Sequence, residues 1–326
     1  MEQYNAVEEK IRSDSAIIDG RFIDALNESF RSYSVLLPVP DHHKRAGVIT
    51  ETTFVVGSLA GNTTPEDSYY MVDASLKDKP IAESLGDNVH FIEATEDSLK
   101  EISWLTGLVD NEVPQSLGSI VGIGGGILLN AAAFAAEKRR VDFISIPTTV
   151  LAAADSAIGG LIRLNKVEDE QLQRSFYKSV YEPSRIVLDP KALGSLPKNQ
   201  ISFGLSEVVK HGVYQSTALL EYLAGDDFDP FNNEDSLLKA ICWTVALKNV
   251  DIVQDPDSES FGGTILRGGH KLAWSIEEES RFKVSHGEAV AIGVYQDALH
   301  TPEKLALLNT IYKKLSLPKM QTGLNR

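Results

Sequence analysis

The chain has 326 residues, 43% of them hydrophobic and 24% charged, with 31 Lys+Arg against 46 Asp+Glu and a formal net charge of −15. That length allows one large domain or two ordinary ones, and that composition excludes a disordered, collagen-like or disulfide-stapled chain. The acidic balance opposes nucleic acid and anionic membrane surfaces, and the single Cys242 excludes an internal disulfide and a multi-cysteine zinc cluster.

One cysteine fits a reducing compartment, so a cytoplasmic location is expected. Residues 1–9 are acidic where an export signal has a basic end followed by an apolar run, so no leader is expected. The most apolar stretch, 119–136, is broken by Gly122, a glycine triplet and Asn130, and falls short of the ~20 apolar residues of a membrane helix.

In chain order, β-branched runs predict strands at 34–38, 47–50, 53–56, 69–72, 89–92, 120–123, 143–146 and 186–188. Apolar spacing and composition predict helices at 97–108 and 128–140 between them, the alternation of crossover units on a parallel sheet. After Leu196-Pro197 the strand signals stop. Helical spacing then covers 201–211, 217–223, 235–253, 270–279, 286–299 and 302–315. The reading is an α/β first domain, 1–196, followed by an all-helical domain, 197–326, with no internal repeat.

Three constellations carry chemistry. The first is Ile120-Val-Gly-Ile followed by Gly124, Gly125 and Gly126 and then a helix. Glycines at a strand-to-helix turn admit a ligand to the backbone, and the helix start offers free N–H groups to a pyrophosphate. The plainer reading is a tight turn, and the spacing is not G-x-G-x-x-G.

In the second, Thr148 and Thr149 follow a strand end and precede Asp155, Gly159 and Gly160. Hydroxyls there can donate to a cofactor and the acid can hold a polyol, or a threonine merely caps a helix and the acid is solvated. The third is Glu207, His270 and His286 in the helical half, two imidazoles and a carboxylate that would hold a divalent ion with a position left open. Singly, each is more often an ordinary hydrogen-bonded residue. Lys210 and His211 share a helix face with Glu207, and Lys248 lies in an apolar helix where its stem would ordinarily snorkel.

Taken in order, Gly-Gly-Gly, Pro-Thr-Thr-x-Leu-Ala-x-x-Asp-Ser-x-x-Gly-Gly, Leu-x-Glu-Val-Val-Lys-His-Gly, Gly-His and His-Gly-Glu-Ala-Val-Ala-Ile-Gly resemble the 3-dehydroquinate synthase-like superfamily of sugar phosphate cyclases, from about Ile120 to Gly293. The resemblance implies a Rossmann-like NAD-binding domain, a helical metal domain and an active site in the cleft between them. It further implies zinc, or another divalent ion, on Glu207, His270 and His286, and NAD on Gly124, Gly125, Gly126, Thr148 and Thr149.

By the same resemblance Asp73 holds the adenosine ribose, and Asn130 stands where the family has an acid. Asp155, Lys210 and Lys248 face the substrate, and Arg174 takes the place of a family lysine. The implied reaction is transient hydride transfer, phosphate elimination and intramolecular aldol closure to a carbocycle, with a homodimer as the implied assembly and a sugar phosphate as the partner.

Departures qualify the substrate. Leu161 replaces a family lysine, Gly263 and Arg267 replace an Arg and an Asn, and Trp274 replaces a second histidine. Each lost charge-assisted contact is worth about 1.5 to 3 kcal/mol, part of which Arg267 and Arg174 can restore. The chain also has a long segment before the Asp73 strand and little after Leu317-Pro318, where the family continues. A variant specificity is therefore expected. A metal-dependent polyol dehydrogenase and a catalytically degraded scaffold remain the alternative readings.

Overall fold

The computed structural model describes residues 33–40, 51–59, 64–83, 85, 88–95, 99–169, 171–254 and 267–320. The strand expected at 47–50, the segment before residue 33 and Gly263 lie outside the described residues. The described residues fall into two compact units, one within Arg31–Ser195 and the other within Leu196–Arg326.

The first unit is built on a seven-stranded sheet. Its strands are β1 (Tyr33–Pro38), β2 (Glu51–Val56), β3 (Ser68–Asp73), β4 (Val89–Ile92), β5 (Ser119–Gly124), β6 (Asp142–Pro147) and, later in the chain, β9 (Arg185–Leu188). The order is β1-β2-β9-β6-β5-β3-β4. All pairings are parallel except β1 with β2, which run antiparallel at one edge.

Central β5 is buried along its whole length, as a parallel strand covered on both faces must be. Alternate residues feed opposite cores. Met71, Ile120 and Phe143 pack on one side with Leu128, Ala132 and Phe134, while Val72, Val121, Ile123, Ile144 and Ile146 pack on the other. Helix α1 (Ile102–Glu112) begins with Glu101 as its cap, the side chain accepting from Trp104 N, and so starts four to five residues later than the spacing predicted.

Helix α2 (Gly126–Arg139) lies close on β5, because a Cβ on Gly122 would meet Ala132 Cβ at 2.7 Å. Lys138 and Arg139 in its last turn complement the helix dipole.

A two-stranded antiparallel hairpin, β7 (Leu161–Glu168) and β8 (Gln171–Val180), stands apart from the main sheet and was not among the predicted strands. Its apolar side is short: Ile162, Leu164 and Tyr177 join the core beneath α2, while Val167, Leu172 and Phe176 are exposed. Glu137 of α2 accepts hydrogen bonds from Tyr177 Oη and Ser179 Oγ, which ties the hairpin down.

The second unit is helical throughout its described residues: α3 (Lys198–Tyr214), α4 (Thr217–Ala224), α5 (Glu234–Gln254), α6 (His270–Glu279), α7 (His286–Ala298) and α8 (Pro302–Leu315). Helix α3 is buried without interruption from Gly204 to Val213, which makes it the central helix of this unit. Caps follow local chemistry: Ser216 accepts from Leu219 N at 3.1 Å to start α4, and Pro302 opens α8. Among the described residues no helix is long and apolar enough to cross a membrane.

Candidate functional site

Glu207, Lys210 and His211 sit on the buried part of α3, all at 1% exposure or less. Polar groups this deep need partners, or they cost more than hydrophobic residues would. Lys210 Nζ forms an ion pair with Glu207 Oε2. The other carboxylate oxygen, Oε1, faces two imidazoles, with His270 Nε2 at 3.5 Å and His286 Nε2 at 3.6 Å. Beyond these contacts, neither oxygen of Glu207 has a hydrogen-bond partner among the described residues.

Helix starts deliver both imidazoles. His270 opens α6 after Gly269, whose left-handed φ of 72° turns the chain into the helix. His286 opens α7 behind Ser285, which accepts from Glu288 N. Close backbone contacts fix where these helices begin. A Cβ on Gly287 would lie 2.2 Å from Phe203 O, and one on Gly293 would lie 2.0 Å from Gly269 O.

The far ring nitrogen of each histidine has an acceptor. His270 Nδ1 donates to Gly268 O at 3.1 Å, and His286 Nδ1 to Glu277 Oε1 at 2.5 Å. Such outer partners orient the rings and turn each Nε2 toward Glu207, as ligation of one ion by all three groups requires. The three ligand atoms lie within 4.8 Å of one another. Three ligands at about 2.1 Å from one tetrahedral ion stand about 3.4 Å apart. The 3.5 and 3.6 Å separations therefore suit a divalent cation with little movement.

Charge follows the same geometry. Burial alone would push the Glu207 carboxyl up, but the Lys210 ammonium and the two imidazoles hold it well below the usual carboxylate range. Burial lowers His270. Burial also opposes charge on His286, yet Glu207 and Glu277 outweigh it and raise that imidazole to about 9. His211, buried and beside Lys210, is lowered to about 3, and Lys248 contributes to that depression from α5. Lys248 is itself buried. Trp274, one turn into α6, sets its ring edgewise to His270 at 5.8 Å.

In the α/β unit the glycine turn closes β5 beside the end of β3. A Cβ on Gly124 would press on Leu128 and on Asp73, and one on Gly126 would meet Ser156 Oγ at 2.8 Å, so packing alone accounts for these two. Gly125 differs. Its φ is −78°, and the nearest atom to a Cβ there is 3.6 Å away, on Thr149. It caps α2 without any side-chain hydrogen bond, leaving the first-turn amides of that helix for another acceptor.

Thr148 is buried and its N–H donates to Gly124 O at 3.0 Å. Thr149 Oγ1 accepts from Ala152 N, a capping contact. That cap leads into a π-helical turn, Ala152–Ser156, which carries Asp155; such turns are frequent at functional sites. Asp73 Oδ1 accepts from both the N–H and the hydroxyl of Ser75, so this oxygen closes its own turn. Asn130 Oδ1 accepts from Arg163 N and joins α2 to β7.

Arg174 lies in the irregular stretch of β8 beside the β7–β8 register shift. Leu161 pairs with Val180 at the hairpin base, and Arg267 is exposed in the turn before α6. Glu277, which the sequence reading did not single out, carries one available signal: it lies seven residues after His270 and so shares its helix face.

Residues 91–203 match the 3-dehydroquinate synthase N-terminal family and residues 204–320 the 3-dehydroquinate synthase C-terminal family. A 3-dehydroquinate synthase of Saccharolobus solfataricus is 32% identical over 218 residues, 65% of this chain and 60% of that relative. The chain spans about half the length of several other curated relatives that it matches.

In fold the chain is similar to ValA, a 2-epi-5-epi-valiolone synthase from Streptomyces hygroscopicus with NAD+ and Zn2+ bound, at TM-score 0.70 and 22% identity over 86% of this chain and 85% of that one. It is also similar to a 2-deoxy-scyllo-inosose synthase complexed with carbaglucose-6-phosphate, NAD+ and Co2+, at TM-score 0.66 and 22% identity over 87% and 88%.

Proposed function

Because the chain belongs to the 3-dehydroquinate synthase-like superfamily of sugar phosphate cyclases, we propose that it is itself an NAD- and zinc-dependent cyclase, a carbon–oxygen lyase acting on a phosphorylated sugar. The overall reaction is transient oxidation of a secondary alcohol, loss of phosphate, return of the hydride and aldol closure to a carbocycle. The observation that carries this reading is the convergence of Glu207, His270 and His286, with an acceptor fixing the far nitrogen of each ring.

In this reading Glu207, His270 and His286 would hold the divalent ion, and the glycine turn at Gly125 and the Asp73 carboxylate would hold NAD. The bound groups supply polarisation of the alcohol oxygen and a hydride acceptor. The chain's own residues do the rest. Lys210 keeps Glu207 ionised, the acceptors Gly268 O and Glu277 keep proton-free nitrogens toward the ion, and Lys210 with Lys248 offers positive charge to an anionic substrate.

Asp155 binds substrate hydroxyls, and Arg174 and Arg267 are the cations assigned to its phosphate. Trp274 beside His270 brings an indole in place of a proton-donating ring, which favours a substrate other than that of dehydroquinate formation.

The test is incubation of the zinc-loaded protein with NAD and a panel of heptulose and hexose phosphates. Phosphate release without accumulation of NADH is expected. Steady NADH production from an unphosphorylated polyol, with no phosphate released from any sugar phosphate, replaces the cyclase by a dehydrogenase.

A further inference from the structure

We propose that Asp297 is a positioning residue that holds His270 in place for the metal, an inference resting on the metal-site reading above. Asp297 lies on α7, the helix that begins with His286, so a single helix would supply one ligand and clamp the other.

The clamp is a run of contacts. Asp297 Oδ2 accepts from Tyr214 Oη at 2.6 Å and from Gly269 N at 2.9 Å. Tyr214 ends α3, the helix of Glu207, and its ring lies under Gly268, where a Cβ would come within 2.2 Å of it. Gly268 O is the acceptor for His270 Nδ1. Gly269 O is seated on Gly293, one turn before Asp297 on the same helix.

The peptide leading into His270 is thus gripped at both ends, by Asp297 at its N–H side and Gly293 at its carbonyl side. Only the ring torsions remain, and Gly268 O sets them. The outcome is a pair of imidazoles held with centroids 5.2 Å apart. A carboxylate oxygen serves here because it accepts two donors at once, and a charged acceptor makes each bond stronger.

The experiment measures zinc affinity by chelator competition and the visible spectrum of the Co2+ form, using the full chain. Loss of an outer partner typically weakens metal binding about 10- to 100-fold, and an effect relayed through the backbone belongs at the lower end, about tenfold for Asp297→Ala. That variant is also expected to alter the Co2+ bands, and Asp297→Asn, which keeps the acceptor oxygen, to restore both affinity and spectrum most of the way.

Should Asp297→Ala not fold, Tyr214→Phe removes one donor, keeps the ring under Gly268, and is expected to lose about threefold. Unchanged affinity and unchanged bands in whichever variant folds, alongside a His270→Ala protein that loses the ion, overturn the positioning role and leave the metal-site reading standing. Zinc binding by His270→Ala equal to that of the parent overturns the metal-site reading, and this inference with it.

Discussion

Glu277 and His286 are joined at 2.5 Å, Oε1 to Nδ1, although they belong to the two different helices that each open with a histidine of the triad. Helix α6 thus orients the histidine that opens α7, while α7 holds the turn that delivers the histidine opening α6. Glu277→Ala is expected to weaken zinc binding about 10- to 100-fold, and Glu277→Gln, which can still accept the hydrogen bond, by less than about tenfold. Chelator competition measures both.

Gly125 separates ligand approach from folding. Its backbone is in a region any residue adopts, and a Cβ there makes only ordinary contact. Gly125→Leu is therefore expected to leave the unfolding free energy within about 0.5 kcal/mol of the parent. The same side chain would cover the first-turn amides of α2, so NAD affinity is expected to fall at least about tenfold. Calorimetric titration with NAD and chemical denaturation test the two halves.

His211 makes stability depend on acid. Burial and the neighbouring Lys210 lower its folded-state value to about 3, against about 6.5 when the chain is unfolded. The unfolded state then binds the extra proton over that interval. Its contribution is complete above about pH 6.5 and is lost progressively as pH falls toward 3. By pH 4 the loss is about 3 kcal/mol. His211→Asn, compared with the parent by denaturation at pH 7 and pH 4.5, is expected to show a smaller drop between the two pH values.

Cys242 is fully buried in α5, and burial pushes its thiol up to about 12. The thiolate is the reactive form, so at pH 8 the folded protein is expected to react with a thiol reagent far more slowly than a free cysteine does. Labelling should appear only with unfolding, which makes the rate in graded denaturant a direct readout.

The parallel sheet and the helical second half were legible because each element has its own apolar period. Ile120, Val121 and Ile123 announce a strand buried on both faces, and the long buried run of α3 announces a central helix. The β7–β8 hairpin was not. Lys166, Glu168, Gln171 and Gln173 dominate it, and only Ile162, Leu164 and Tyr177 reach a core, too few to stand out.

Glu207, His270 and His286 were visible as residue types in a motif, but their convergence depends on glycines whose contacts are long-range, such as Gly287 against Phe203. The hydrogen bonds of Asp297 to Tyr214 and Gly269 have no local signature at all, since they join positions 83 and 28 residues apart.

The internal pairing of Lys210 with Glu207 bears on the order in which the proposed cyclase would take up its ion and its reactant. Carboxylate and ammonium already cancel, so of the two positive charges that an arriving divalent ion would bring, the Glu277 carboxylate behind His286 offsets at most one. In an interior that poorly supports excess charge, an anionic oxygen from outside the protein would supply the remaining balance. Occupancy by the ion and capture of an anionic reactant would thereby be linked, the first preparing the second, while the −15 net charge would disfavour that reactant until the ion is in place.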